Sequence, residues 1–216
     1  MDVFTADDFK VFDIPGFNER MAAIFSKIRP KLTAVGEALA PKLSELIDYP
    51  LHVHVAKHAR RTVNPPDDTW AAFGRDPRGY KKDVHFKVAI SRHCVRFLFE
   101  VGPEHYAKTA WLQSWNRAFG QIGDGLRSTK GLSVYENEHD EDPAADLRRM
   151  APAELKKLAE ELTRRRDGQF VIGRRLAAEE CVKLTAKEFE KFARASFVPM
   201  APLFGISEIR LRALPA

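Results

Sequence analysis

The sequence predicts an α+β fold, with a mainly antiparallel sheet flanked by helices. Apolar residues at helical spacing dominate the first 47 residues. The apolar runs 85–90 and 94–101 are separated by only three residues, as in an antiparallel hairpin. Helices and strands do not alternate as repeated βαβ units, which argues against a parallel sheet. With 216 residues and a hydrophobic fraction of 44%, we expect one α+β domain spanning residues 1–216.

Caps and prolines define the N-terminal elements. Thr5 suits the N-cap of a short helix, because two aspartates then fall in its first turn. Apolar spacing predicts a helix over 17–28, which Pro30 ends or kinks, and its continuation over 31–47. Residues 51–56 alternate and predict a strand. We expect the N-terminal helices to pack on the sheet.

The rest of the chain predicts shorter elements. A helix is expected from Pro103 to about Phe119, followed by a stretch that three glycines loosen. Residues 136–146 are acidic and predict an exposed loop. The other predicted elements are strands at 132–135 and 169–176, helices at 153–166, 177–184 and 185–198, and an edge strand at 206–214.

Residues 57–82, here called the basic window, are the main functional signal. They carry seven Lys and Arg residues against three Asp residues, and so hold most of the net charge of +5. Prolines, glycines and three aromatic residues accompany the charges. This composition predicts a long loop, placed over one edge or end of the sheet, that binds an anion.

A phosphate-bearing ligand, either nucleic acid or a nucleotide, is the predicted partner of the basic window. Arginine offers bidentate contacts to phosphate, and aromatic rings can stack on bases. The predicted ligand-binding residues are Lys57, Arg60, Arg61, Asn64, Trp70, Arg78, Tyr80, Lys81 and Lys82. The alternative is a loop that packs on its own aromatics and pairs its arginines with Asp67, Asp68 and Asp76.

Two further hypotheses remain open. His58 and His85 are candidate acid–base residues of an enzyme acting on a small anionic substrate, because histidine titrates near neutrality. Alternatively, the window meets an acidic protein surface in a protein-interaction module. Motifs of P-loop, dinucleotide-binding and nucleophile-elbow enzymes are absent from the sequence.

Other site types find little support in the sequence. Cys94 and Cys181 are far apart and predict buried free thiols, and no metal site or cofactor is predicted. The start of the chain lacks the apolar run of a signal peptide, and no segment has the length and apolarity of a membrane span. We therefore expect a cytoplasmic protein that does not bind membranes.

One long segment resembles a known family. Residues 54–86, HVAKHARRTVNPPDDTWAAFGRDPRGYKKDVHF, are similar to the signature of the YktB-like family of bacterial proteins. The N-terminal pattern is similar too, including Arg20-Met21 and residues 28–32 (IRPKL). The resemblance covers the first half of the chain well, and the second half in general layout. It implies a cytoplasmic α+β protein, and it implies no reaction and no site residues.

Overall fold

The computed structural model describes residues 3–208, which build one antiparallel sheet with helices packed on it. Within this range the sheet has seven strands in the order β1-β2-β3-β4-β7-β5-β6, and every neighbouring pair is antiparallel. The strands are β1 His52–Val55, β2 Asp68–Gly74, β3 His85–Ser91, β4 Cys94–Val101, β5 Ser133–Tyr135, β6 Ala145–Asp146 and β7 Phe170–Ala177. The predicted α+β class is confirmed.

The helices lie mostly on one face of this sheet. They are α1 Ala6–Phe9, α2 Phe17–Ala23, α3 Arg29–Ile47, α4 Lys108–Ser128, α5 Pro152–Leu158, α6 Glu161–Arg164, α7 Ala178–Cys181, α8 Ala186–Phe197 and α9 Pro202–Glu208. A capping box begins α8, because the Thr185 hydroxyl accepts from the Glu188 N–H and the Glu188 carboxylate accepts from the Thr185 N–H. At the start of α1, the Asp8 carboxylate accepts from the backbone N–H of Thr5 at 2.6 Å.

Alternation along the strands gives the sheet two different faces. The apolar face carries Phe73, Phe86 and Phe97, whose rings all contact Phe197 of α8. The opposite face carries charged residues at paired positions. On it Ala89 faces Arg96 across β3 and β4, and His85 faces Glu100. We call it the polar face. Both faces are buried, although the alternation in the sequence predicts one more exposed face.

The basic window is not one long loop. Its middle forms β2, a fully buried strand that pairs with both β1 and β3. Trp and Phe favour strands, but the two alanines, the glycine and the flanking prolines are rare in strands, so the sequence did not predict β2. Two loops remain, residues 56–67 and 75–84, and they leave opposite ends of the same central strand.

Several other boundaries differ from the sequence prediction. Helix α4 starts later than Pro103 and continues through all three glycines to Ser128. A π-helical turn over Ile24–Ile28 joins α2 to α3, directly before Pro30, whose nitrogen has no proton to donate. Residues 206–208 continue α9 instead of starting the predicted edge strand, and the remainder of that strand lies outside the described residues.

Candidate anion-binding groove

A groove of about 1520 Å³ lies where the two loops of the basic window face each other. Residues 56–61 form one side and residues 75–83 the other, and Trp70 of β2 lies between them. The rest of the lining comes from Arg29 and Thr33 of α3, Tyr49, residues 53–55 of β1, Glu104, Tyr106 and His139. The groove is larger than the 300–1,000 Å³ that is usual for small-molecule sites, so it has room for an extended ligand.

The groove is strongly cationic. Its lining contains eight Lys and Arg residues and only three carboxylates, Asp76, Asp83 and Glu104. Two pairs of these are loose: Arg78 Nε lies 3.6 Å from Asp76, and Lys81 Nζ lies 3.8 Å from Glu104. Arg75 is held more firmly, by two 2.7 Å hydrogen bonds to Asp83.

Among residues 3–208, five cations of the groove have no acidic partner: half-buried Arg29 and four exposed side chains. The side chains of Lys57, Arg60, Arg61 and Lys82 are exposed and form no ion pair with any residue between 3 and 208. This differs from the alternative in which the window neutralises itself. Asp67 and Asp68 pair instead with cations outside the window, Arg20 and Arg96.

Most of the predicted ligand-binding residues line this one groove. Asn64 does not: it is exposed on the far part of the 56–67 loop, outside the lining. The predicted acid–base histidines are separated, since His58 lines the groove and His85 does not.

Trp70 and Tyr80 form the floor of the groove and are fixed by internal contacts. Trp70 is only 9% exposed, and its Nε1 donates to Tyr80 Oη at 2.7 Å. The ammonium of Lys87 lies 4.2 Å from the centre of the Trp70 ring, which is a cation–π contact. The Tyr80 ring packs against His54 and His85. These two aromatics therefore support the groove and present little free ring face.

His58 lies beside Trp70 in a left-handed backbone conformation, with φ of 48°. Its Nε2 is 3.0 Å from Thr69 Oγ1, and its ring meets Trp70 edge-on. Burial lowers the pKa of His58 to about 4, because the charge of Asp68 offsets only part of the desolvation. The ring is therefore neutral at pH 7.

His85 lies below the groove, on the polar face of the sheet. It is buried, with Nε2 3.0 Å from a Glu100 oxygen and Nδ1 3.1 Å from the Asp83 carbonyl. Tyr80 covers its ring at a centroid distance of 4.7 Å. A ligand in the groove would have to displace Tyr80 to touch His85.

A buried charge network underlies the groove, and the sequence did not reveal it. Arg96 donates from Nη2 to Asp68 at 2.7 Å and from Nη1 to the carbonyls of Glu138 and Asp140. Lys87 forms an ion pair with Glu138 and lies 4.0 Å from Glu100. The acidic segment at 136–146 is thus not simply an exposed loop, because its first half covers the polar face.

His139 links this network to the groove. Its Nδ1 donates to both oxygens of Asp68, at 3.0 and 3.1 Å, while its ring lies 5.5 Å from Trp70. Burial would raise the pKa of Asp68, but the hydrogen bond from His139 and the charges of Lys87 and Arg96 outweigh it and lower that pKa to about 2. Asp68 therefore remains a carboxylate at physiological pH.

Several groove residues were missed because they lie far from the basic window in sequence. Arg29, Tyr49, Tyr106 and His139 come from four separate segments, and only the strand order brings them to one place. Tyr106 is connected through its backbone, since its N–H donates to the Lys82 carbonyl at 3.2 Å. No local motif marks any of these residues.

Among residues 3–208, none of the helices combines the length and apolarity needed to cross a bilayer. In the same range, no three His, Cys, Asp or Glu side chains converge as a metal site would require. Cys94 and Cys181 are both buried and free, and burial raises the pKa of each thiol.

Comparison with known proteins extends the resemblance to almost the whole chain. A family model described as a domain of unknown function, DUF1054, matches residues 4–204. A UPF0637 protein of Bacillus licheniformis is 33% identical, over 95% of this chain and 96% of its own length. UPF0637 proteins of Bacillus mycoides and Staphylococcus carnosus are 33% and 34% identical, over 95% and 90% of this chain and 98% and 94% of their own lengths. The resemblance to an uncharacterised bacterial family is confirmed, and the chain belongs to the DUF1054 family.

Proposed function

We propose that this protein binds a phosphate-bearing ligand, nucleic acid or a nucleotide, in the groove of the basic window. The observation that carries the proposal is the group of four exposed cations without acidic partners, Lys57, Arg60, Arg61 and Lys82. Unpaired cations in a concave site concentrate anions, and phosphates are the anions that arginine contacts best.

The pairing of Asp67 and Asp68, two of the three carboxylates in the basic window, supports this proposal. Arg20 and Arg96 are nearly or fully buried and use Asp67 and Asp68 as their partners. These two carboxylates therefore neutralise cations outside the window and leave the window's own cations uncompensated. A basic loop that only packs on itself would instead pair its cations with its own carboxylates.

Binding of fluorescein-labelled 12-nucleotide RNA and DNA, measured by anisotropy at 50 and 200 mM salt, tests the proposal. We expect the affinity to fall steeply with salt, because bound phosphates release counterions. Arg60→Ala with Arg61→Ala should weaken binding about 10-fold or more at 50 mM salt. It should also lower the slope of log affinity against log salt by about 1.4, the value for two phosphate contacts on a single strand.

The chain offers a matched control in Arg148→Ala with Arg149→Ala. These two residues are also adjacent and exposed, but they lie outside the groove. An equal loss of oligonucleotide affinity in both double variants would mean that any exposed cation contributes to binding, which would contradict the proposal. If polyglutamate of equal charge competes better than the oligonucleotide, the protein-interaction alternative is favoured.

The enzymatic alternative has weaker support from the geometry. Only His58 of the two predicted acid–base histidines lines the groove, and its lowered pKa makes it a weak base at neutral pH. His85 is covered by Tyr80. We therefore favour binding over catalysis as the function of this groove.

A further inference from the structure

Two tyrosines in the groove have free ring surface, and they are not the aromatics of the basic window. Tyr106 is 73% exposed and Tyr49 is 42% exposed, and both line the groove. Large aromatic side chains are normally withdrawn from water, so two in one concave cationic site need an explanation. Trp70 and Tyr80 cannot serve as stacking surfaces without breaking their internal contacts.

Each exposed tyrosine lies next to a cation of the groove. The backbone N–H of Tyr106 donates a hydrogen bond to the carbonyl of Lys82, whose side chain has no acidic partner among the described residues. Arg75 lies 5.7 Å from the centre of the Tyr49 ring. Proteins that bind single strands combine cations that contact the phosphates with aromatic rings on which bases stack, and the groove offers both.

We infer that the groove takes an unpaired segment of nucleic acid, with bases stacked on Tyr49 and Tyr106 and phosphates against the exposed cations of the groove. The inference rests on the proposed function and narrows its ligand class. In a duplex the base faces are already stacked on one another, so exposed tyrosine rings would add nothing to duplex binding. With unpaired bases, each ring stacks without base specificity.

The test compares three ligands on the wild-type protein at 100 mM salt: an unstructured 12-nucleotide strand, a 12-base-pair duplex, and inorganic polyphosphate. We expect the single strand to bind more tightly than the duplex. Tyr106→Leu and Tyr49→Leu should each weaken single-strand binding roughly 5- to 150-fold, the range for one lost base stack. Polyphosphate binding should stay unchanged in both variants, because polyphosphate has no bases.

Tyr106→Phe is the matched control, since it keeps the ring and removes only the hydroxyl. It should retain the wild-type affinity for the single strand. Duplex binding as tight as single-strand binding would overturn the inference, as would wild-type affinity in both leucine variants. RNA and DNA forms of the same strand then identify the sugar that the groove prefers.

The outcomes separate this inference from the proposed function. If polyphosphate and the duplex bind through Arg60 and Arg61 while the tyrosine variants behave as wild type, only the single-strand inference fails. If no phosphate ligand binds at all, both fail together. If the leucine variants also bind polyphosphate more weakly, the tyrosine rings act by shaping the groove, and the stacking inference is wrong.

Discussion

Arg96 shows how one buried side chain can hold three segments together. Its guanidinium contacts Asp68 at the start of β2 and two carbonyls of the acidic loop, so it joins that loop to the centre of the sheet. Burying an arginine is costly unless a counterion pairs with its charge. Asp68 supplies the charge, and it also fixes His139 at the edge of the groove.

Removing the Asp68 charge should therefore destabilise the protein. Asp68→Asn leaves Arg96 buried without a counterion, and we expect a loss of about 3 kcal/mol in the free energy of unfolding at pH 7. Urea denaturation monitored by tryptophan fluorescence measures this loss. Asp167→Asn is the control, because Asp167 and its partner Arg165 are both largely exposed, and its loss should cost no more than about 1 kcal/mol. Similar losses for both variants would show that the buried network is unimportant.

The Asp68→Asn substitution should also change the pH dependence of the free energy of unfolding. The pKa of Asp68 is about 2 in the folded protein, below the ordinary value of 3.8, so the unfolded chain takes up its proton first as the pH falls. Its stabilising contribution is complete above about pH 4 and is lost toward pH 2. The free energy of unfolding should therefore fall less steeply across this range in Asp68→Asn than in the wild type. Part of the pH dependence should remain in the variant, because the pKa of Glu100 is also lowered in the folded protein.

At the scale of elements, strand β2 determines the shape of the groove. Both loops of the basic window leave this strand, one before Asp68 and the other after Gly74. Gly74 matters because the second loop returns closely over it. A Cβ at this position would lie 2.7 Å from the Cβ of Tyr80 and 3.1 Å from its Cα. Only glycine allows Tyr80 to cover the end of β2 and His85.

Gly74→Ala should therefore displace Tyr80 and widen the groove. We expect a loss of about 1–3 kcal/mol in stability, typical of overpacking a tightly packed site, together with weaker oligonucleotide binding. Thermal unfolding and anisotropy measure the two effects. Gly79→Ala serves as the control in the same loop, because a Cβ there meets no atom within 4 Å. A Gly74→Ala protein with wild-type stability and affinity would show that Tyr80 does not need this close approach.

Local sequence patterns predicted the elements that are determined by residues close together in the sequence. The β3–β4 hairpin, the N-cap at Thr5 and the helical spacing of α3 were all predicted, because each depends on short-range spacing. Strand β2 was hidden, because its stability comes from pairing with β1 and β3 rather than from its own propensity. Seven of the eight cations that line the groove lie in the basic window, whereas Tyr49, Tyr106 and His139 reach it through long-range topology.

For the whole molecule, the two faces of the sheet have different roles. Helices α4 and α8 and the aromatic core cover the apolar face, where Trp111 and Trp115 also pack. The basic and acidic loops cover the polar face, where a charge network takes the place of a hydrophobic core. The groove thus lies on the side of the sheet that is held by directional contacts, which fix side chains at defined positions.

This asymmetry predicts where a bound ligand protects the backbone. Saturating single-stranded oligonucleotide should slow hydrogen–deuterium exchange at residues 57–61 and 78–82, because ligand contacts restrain these loops and cover their amides. Amides in α8 should exchange at unchanged rates, since the sheet lies between this helix and the groove. Helix α8 is an informative reference, because Lys187, Lys191 and Arg194 line a smaller surface depression of about 380 Å³ there. Protection of α8 without protection of the loops would place the anion site on the opposite side of the molecule. That result would contradict the proposed function of the groove, even if oligonucleotide binding itself were strong.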